Sequence, residues 1–360
     1  MRRFQVIDAL RGVLAFWVTV GHANVLPRLA SVGQNHGTLD FIARGLRSIV
    51  WGPPAVMAFL VISGFCIHYP FAHTGRRCQV LRFYGRRCVR IGIPAAFTVA
   101  MFKLMFPDIV IVGNDSILWH SPLWSVLCEE IFYALYPILN RASRSIGLGR
   151  IVLVTFVVAM AVTSLAPATE EWVDLGILGS ATVLWPVWLL GCYLADRVSA
   201  LNNTPSASSV CAWRCGAWMV MWVAELLHFH GGVSQTRTCL WVGAFSYFWI
   251  RAEIRHSAAQ PAWPTLVWAG RWSYSLYLIH PLIVALCVEH AFLTQGPRLN
   301  AVWMLGPILI AAYLFYLTVE RPSHRWARKI GLLSPAGSVS REISARSPGQ
   351  PGLTAMLHDA

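Results

Sequence analysis

The sequence predicts an all-α integral membrane protein, a bundle of about ten transmembrane helices with both termini in the cytoplasm. Three observations carry this. Hydrophobic residues make up 56% of the 360 and charged residues only 12%, about half the charged share of a soluble domain. Mean hydropathy is +0.54. The apolar residues fall in long blocks joined by short basic stretches, so the length does not argue for two soluble domains.

A spanning helix needs about 20 mostly apolar residues. Ten stretches approach that: 4–26, 49–70, 89–112, 122–140, 150–167, 176–196, 210–228, 234–250, 265–288 and 299–319. The first follows Met1-Arg2-Arg3 and carries no clear small-residue cleavage site, so it is expected to stay as a span and not to be removed as a signal peptide. The basic residues, nearly all Arg, set the orientation. With the N-terminus inside, the cytoplasmic loops hold Arg2, Arg3, Arg76, Arg77, Arg82, Arg86, Arg87, Arg141, Arg144, Arg150, Arg197, Arg214, Arg251 and Arg255. The C-terminal segment adds Arg321, Arg325, Arg328, Lys329, Arg341 and Arg346. The outer loops hold only Arg28, Arg44, Arg47, Arg237 and Arg298. Residues 1–330 therefore form one transmembrane domain. Residues 331–360 form a cytoplasmic tail whose Ser/Pro/Gly/Arg-rich composition from Ser334 onward predicts disorder.

Several function classes drop out. A net charge of +13 would suggest nucleic acid on a soluble chain. Here the charge reads as membrane orientation, and no nucleic-acid partner is expected. Nine Cys form no CxxC pair; most, such as Cys66, Cys128, Cys192 and Cys287, lie in apolar runs as small hydrophobes. Cys211 and Cys215 lack a ligand set, so no metal is expected. No internal repeat, phosphate-binding loop, dinucleotide fingerprint or HExxH occurs.

Charges inside the apolar blocks are the chemical signal. An ionisable group at the bilayer centre costs roughly 2.5–3.5 kcal/mol, so each needs a partner or a use. In the first span, Arg11 and His22 are eleven residues apart. At about 100° per residue they share a face, about 16 Å apart along the axis. Asp8 precedes Arg11 by three, which permits an ion pair. This face offers a paired cation at one end and a proton acceptor toward the other; a His bonded to a neighbouring helix and a snorkelling Arg read equally well. In "SPLWSVLCEEIFYALYPIL" (121–139), Glu129 and Glu130 fall at mid-span. Adjacent helical positions diverge by about 100°, so at least one should line a polar interior; an ion pair with Arg87, Arg90 or Lys103 is the structural alternative. Arg87 and Arg90 share a face at the start of the third span, either as an inside-positive flank or as a phosphate site, because guanidinium binds phosphate bidentately. His280 lies in "WSYSLYLIHPLI", Glu320 ends the last span, and Ser63-Gly64 permits close helix approach.

Together these pieces resemble the membrane-bound acyltransferase-3 family, whose bacterial members O-acylate surface and secreted glycans. The likeness is carried by Asp8-x-x-Arg11-Gly12, Arg11 with His22 eleven positions on, Ser63-Gly64-Phe65 and Arg87-x-x-Arg90. It continues through Trp124, Ser125, Glu129, Phe132 and Tyr133, then Ser273 to Pro281, and Glu320-Arg321-Pro322. It covers residues 4 to about 330. Pro94 stands one residue later than the family's usual Arg-Ile-x-Pro, and the soluble esterase-like domain of some members is absent, so a stand-alone member is expected. The resemblance implies acyl-CoA, acetyl-CoA foremost, as a co-substrate drawn from the cytoplasm, with no bound cofactor. The acceptor is then a hydroxyl of a carbohydrate or glycolipid, a lipo-chitooligosaccharide among the options, and the location a bacterial inner membrane. Arg11 and His22 become the family's essential pair; Glu129 joins them as an expected catalytic residue that either orients His22 or stabilises its imidazolium. Arg87 and Arg90 become the donor-binding pair, and Asp8, Ser63, Trp124, Ser125, Tyr133, His280 and Glu320 the supporting residues. A multi-pass transporter of a glycan or small solute is the rival, since buried Arg, His and Glu also suit proton relays. Inverted repeats, which many transporters carry, are not visible.

Overall fold

The computed structural model describes residues 4–23, 52–72, 78–111, 121–165, 172–200, 204–289 and 300–330. Residues 27–48, expected on the outer side, and the tail 331–360 lie outside the described residues. Those described are almost wholly helical, with no strand among them. The α-helices are α1 (Gln5–His22), α2 (Pro53–Ala72), α3 (Val80–Arg87), α4 (Ile93–Met105), α5 (Leu123–Ile146), α6 (Leu148–Leu165) and α7 (Gly176–Arg197). They continue with α8 (Ala207–Gly231), α9 (Gln235–His256), α10 (Pro264–Gly270), α11 (Ser273–Glu289), α12 (Asn300–Phe315) and α13 (Arg321–Lys329). Two π-helical turns, Cys88–Gly92 and Tyr316–Glu320, join α3 to α4 and α12 to α13.

Six helical stretches among the described residues are long and apolar enough to cross a membrane: α2, the α3–α4 rod, α6, α7, α8, and the rod Trp303–Lys329; Ser273–Cys287 is apolar but shorter. The expected spans on α1, α5 and α9 fall below that standard. These helices carry Asp8 and Arg11, Glu129 and Glu130, and Arg237, Arg251 and Glu253. The side chains that make them chemically interesting also dilute their apolar signal.

Helices α2 and α7 form the centre. In each, 61% of the apolar window is buried, against 22% in α6. Their close crossing depends on two glycines. A Cβ at Gly64 would run into the Trp188 carbonyl, and one at Gly191 into the Val61 carbonyl, the small-residue contact that membrane helices use for tight approach. A polar lock reinforces the crossing. His68 donates from Nε2 to Asp196 Oδ1 at 2.9 Å, so its Nδ1 accepts the Tyr136 hydroxyl at 3.0 Å, joining α2, α7 and α5. Around it Trp188, Tyr136, Phe65 and Phe132 are fully buried. Helix α1 lies on α10 in the same way: a Cβ at Gly12 would come within 2.9 Å of Gly270 N.

Three boundaries differ from the sequence expectation, each for a physical reason. The third span starts at Val80, not 89, and contains the π turn. A π turn takes up one more residue than an α turn, which is where the late Pro94 is accommodated. The fourth continues to Ile146, where Gly147 ends it at a φ of +87°, a conformation suited to glycine. The expected span 265–288 is two helices, broken at Arg271-Trp272.

Candidate active site

One cavity of about 250 Å³ gathers most of the residues singled out by the sequence. Its wall includes Asp8 and Arg11 of α1, Ser63 and Cys66 of α2, and Arg87 and Arg90 of the α3–α4 rod. It also includes Ser125, Glu129 and Tyr133 of α5, Tyr274 and Tyr277 of α11, and His324 of α13. Six separate stretches of chain thus bring their polar groups to one place inside an otherwise apolar bundle.

Ser63 is the hub on one side. Its Oγ hydrogen-bonds Glu129 Oε1, which Tyr133 Oη also reaches. Trp188 Nε1 donates to Ser63 Oγ at 3.1 Å from the central helix α7. The close passage of α2 past α7 at Gly64 puts this hydroxyl within reach of the indole. Arg87 is seated on aromatic faces, with its Cζ 5.3 Å from the Tyr133 ring centroid and 5.7 Å from that of Phe83. Such cation–π seating holds a guanidinium in place without neutralising it.

Arg90 sits on the π turn and donates from Nε to His324 Nε2 at 3.3 Å. That nitrogen therefore carries no proton, and its 3.6 Å approach to Glu320 Oε1 is not an ion pair. Glu320 itself turns elsewhere: Oε2 accepts from Ser275 N at 3.0 Å and from Ser275 Oγ at 2.5 Å. It caps the first turn of α11 from another helix, satisfying an N–H that has no acceptor within its own helix. Tyr274 Oη donates to the Ile91 carbonyl at 3.2 Å, so α11 is also fastened to the π turn beside Arg90. Both π turns thus carry a residue picked out from sequence, in keeping with the frequency of such turns at functional sites.

The imidazoles form a second cluster toward the other end of α1. The His22 and His280 rings lie 5.1 Å apart by centroid. His22 Nδ1 is 2.9 Å from the Val18 carbonyl and His280 Nδ1 is 3.0 Å from that of Leu276. A carbonyl only accepts, so each Nδ1 carries the proton and each Nε2 is left as a lone pair. The His280 ring is buried and its Nε2 meets no hydrogen-bond partner; the His22 side chain is exposed. A Cβ at Gly52 would sit 3.1 Å from His22 Cε1, so the absence of a side chain there leaves the ring its room.

Glu129, expected to act on His22, has Ser63 and Tyr133 as its hydrogen-bond partners. It lies in the arginine cavity, while His22 is paired with His280. Trp124 is half-buried against the core and does not line the cavity. Tyr274, Tyr277, Cys66 and His324 were not singled out from sequence. The two tyrosines stand in the quoted stretch "WSYSLYLIHPLI" at positions three and six before His280, and helical spacing could have put Tyr277 on its face. Cys66 and His324 gave no signal of their own. Among the described residues no group of three or more His, Cys, Asp or Glu side chains is placed to hold a metal ion.

Residues 4–321 match a family described as an acyltransferase domain. The chain is also similar to the acyltransferase MdmB of Streptomyces mycarofaciens, at 24% identity over 76% of this chain and 81% of that protein. No solved structure matches it.

Proposed function

The chain belongs to the acyltransferase-3 family of membrane acyltransferases, and from that premise we propose that it moves an acyl group, acetyl foremost, from cytoplasmic acyl-CoA to a sugar hydroxyl. The acceptor in this reading is a surface or secreted glycan or glycolipid, a lipo-chitooligosaccharide among them. The chain then sits in a bacterial inner membrane as ten spans with both termini inside. The observation that carries the donor half is the single cavity lined by Arg11, Arg87 and Arg90, a cluster of guanidiniums suited to a phosphorylated ligand. With the N-terminus inside, that cavity lies toward the cytoplasm and His22 toward the far side.

In the proposed reaction the hydroxyl oxygen attacks the thioester carbon. The C–O bond forms and the C–S bond breaks. His22 Nε2, whose lone pair is kept available by the Val18 contact, takes the hydroxyl proton and returns it to the departing CoA sulfur. General-base catalysis of this kind contributes about 10²–10⁴-fold. Glu129, Ser63 and Tyr133 keep the Arg87 side of the cavity in shape.

The experiment is acyl transfer by purified protein, using labelled acetyl-CoA and a panel of glycans that includes chitooligosaccharides. His22→Ala is expected to lose transfer by about 10²-fold or more while still binding acetyl-CoA. Transfer at the wild-type rate by a folded His22→Ala protein rejects the base assignment, and a wild-type protein that neither binds acetyl-CoA nor labels any glycan rejects the donor reading.

A further inference from the structure

We propose that Tyr277 sets the length of the acyl group that the protein transfers. The proposal rests on the donor reading above and adds a specificity determinant to the same site. Tyr277 belongs to the wall of the arginine cavity. On its other side its ring packs against His280, with centroids 5.9 Å apart, and His280 in turn packs against His22 at 5.1 Å. Residues 277 and 280 are three apart on one helix, so this edge-type contact follows from their register. The phenol ring thus borders the place where three guanidiniums gather and also touches one of the two imidazoles that pair beyond it.

The ring is also fixed. It is 7% exposed, with Phe59 against it at 5.9 Å. Its hydroxyl donates to the Pro122 carbonyl at 2.9 Å and meets the Ser125 hydroxyl at 2.7 Å. A buried side chain tethered at its tip and held by two edge-type ring contacts is a wall and not a flap. An acyl carbon passing from a thioester in the cavity to a hydroxyl beside His22 comes to rest against this wall. A two-carbon acyl group ends there, and each further methylene meets the phenol.

The test uses the full-length protein in detergent or nanodiscs with acetyl-, butyryl- and hexanoyl-CoA. It reads the dissociation constant of each and the release of CoA thiol, water taking the place of the sugar hydroxyl. Wild type is expected to favour acetyl. In Tyr277→Ala and Tyr277→Leu, methylenes that find the vacated apolar room gain about fourfold each, so the butyryl-to-acetyl ratio, two methylenes apart, rises by up to about sixteenfold. Tyr277→Phe keeps the ring and with it the wild-type profile, which separates wall from tether. Tyr277→Trp, the variant to read where the smaller ones fail to fold, is expected to lower the butyryl-to-acetyl ratio. Chain-length profiles in the folded variants that superimpose on wild type overturn the proposal while leaving the donor reading intact. A wild-type protein that binds none of the three acyl-CoA ligands removes the donor reading itself.

Discussion

Replacing Glu320 by Gln tests whether one carboxylate holds the helix that carries Tyr274, Tyr277 and His280. Glu320 is 1% exposed, and its Oε2 accepts both the Ser275 N–H at 3.0 Å and the Ser275 hydroxyl at 2.5 Å. Hydrogen bonds to a charged group are worth about 1.5–3 kcal/mol and neutral ones about 0.5–1.5 kcal/mol. Gln keeps an oxygen of the same shape, so each of the two bonds loses about 1 kcal/mol. The helix N-terminus adds about 1 kcal/mol of preference for an anion in a buried setting. The sum is about 2–3 kcal/mol. At about 2 °C for each kcal/mol in a chain of this size, the midpoint of thermal unfolding, followed by tryptophan fluorescence in detergent, should fall by about 4–6 °C. Glu320→Ala should fall further, because the Ser275 N–H is then buried without an acceptor. In a double-mutant cycle with Ser275→Ala, Glu320 and Ser275 should couple by about 1 kcal/mol or more. A Glu320→Gln protein whose midpoint lies within 1 °C of wild type, with no coupling to Ser275, would show that the cap does not hold α11 and that this account of the Glu320-Arg321-Pro322 stretch is wrong.

Two further outcomes follow from the same geometry. Arg87→Ala should weaken acetyl-CoA binding about 10- to 100-fold by titration calorimetry, the value of one charge-assisted contact. Arg87→Lys should not restore it, because a compact ammonium loses both the planar fork and the seat on Phe83 and Tyr133; full recovery with Lys would refute the seating argument. Gly64→Ala should destabilise by about 1–3 kcal/mol or more in the same unfolding assay, since the new methyl is directed at the Trp188 carbonyl and the two backbones must separate. An unchanged midpoint would mean that α2 and α7 do not cross as closely as described.

The membrane class, the helical architecture and the charged residues of the cavity wall were legible in the sequence, because a charge in an apolar block is costly enough to stand out by itself. Arg11, Arg87, Arg90 and Glu129 were found in that way, and the cavity joins them. What stayed hidden has a common cause. Pairing between distant helices leaves no periodic trace in one sequence, so neither the clamp of Ser63 and Tyr133 on Glu129 nor the reach of Glu320 to Ser275 could be read. The break at Arg271-Trp272 was missed because apolar residues lie on both sides of it. It is stabilised by a carboxylate almost fifty positions away. The π turn at Cys88–Gly92 left a trace, the late Pro94, whose meaning needed a backbone.

The way this chain treats its arginines argues that the cavity is made to receive an anion. Elsewhere it makes a full ion pair without difficulty: Arg214 reaches Glu253 through Nε at 2.6 Å and through Nη2 at 2.9 Å, with Trp249 Nε1 completing the carboxylate at 3.1 Å. That is how a membrane protein neutralises a guanidinium for structural ends. In the cavity the same chemistry is at hand and is used differently. Arg87 lies over two aromatic rings, Arg90 donates to an unprotonated imidazole, Glu129 is bound by two hydroxyls, and Glu320 is committed to a helix end. The wall counts three guanidiniums, Arg11, Arg87 and Arg90, against two carboxylates, Asp8 and Glu129, leaving an excess of one positive charge. An interior arranged only for stability would join Arg87 to Glu129, since both line the same small space. Holding them on separate neutral partners keeps cationic donors oriented without neutralising them, an arrangement that fits the anionic donor proposed above.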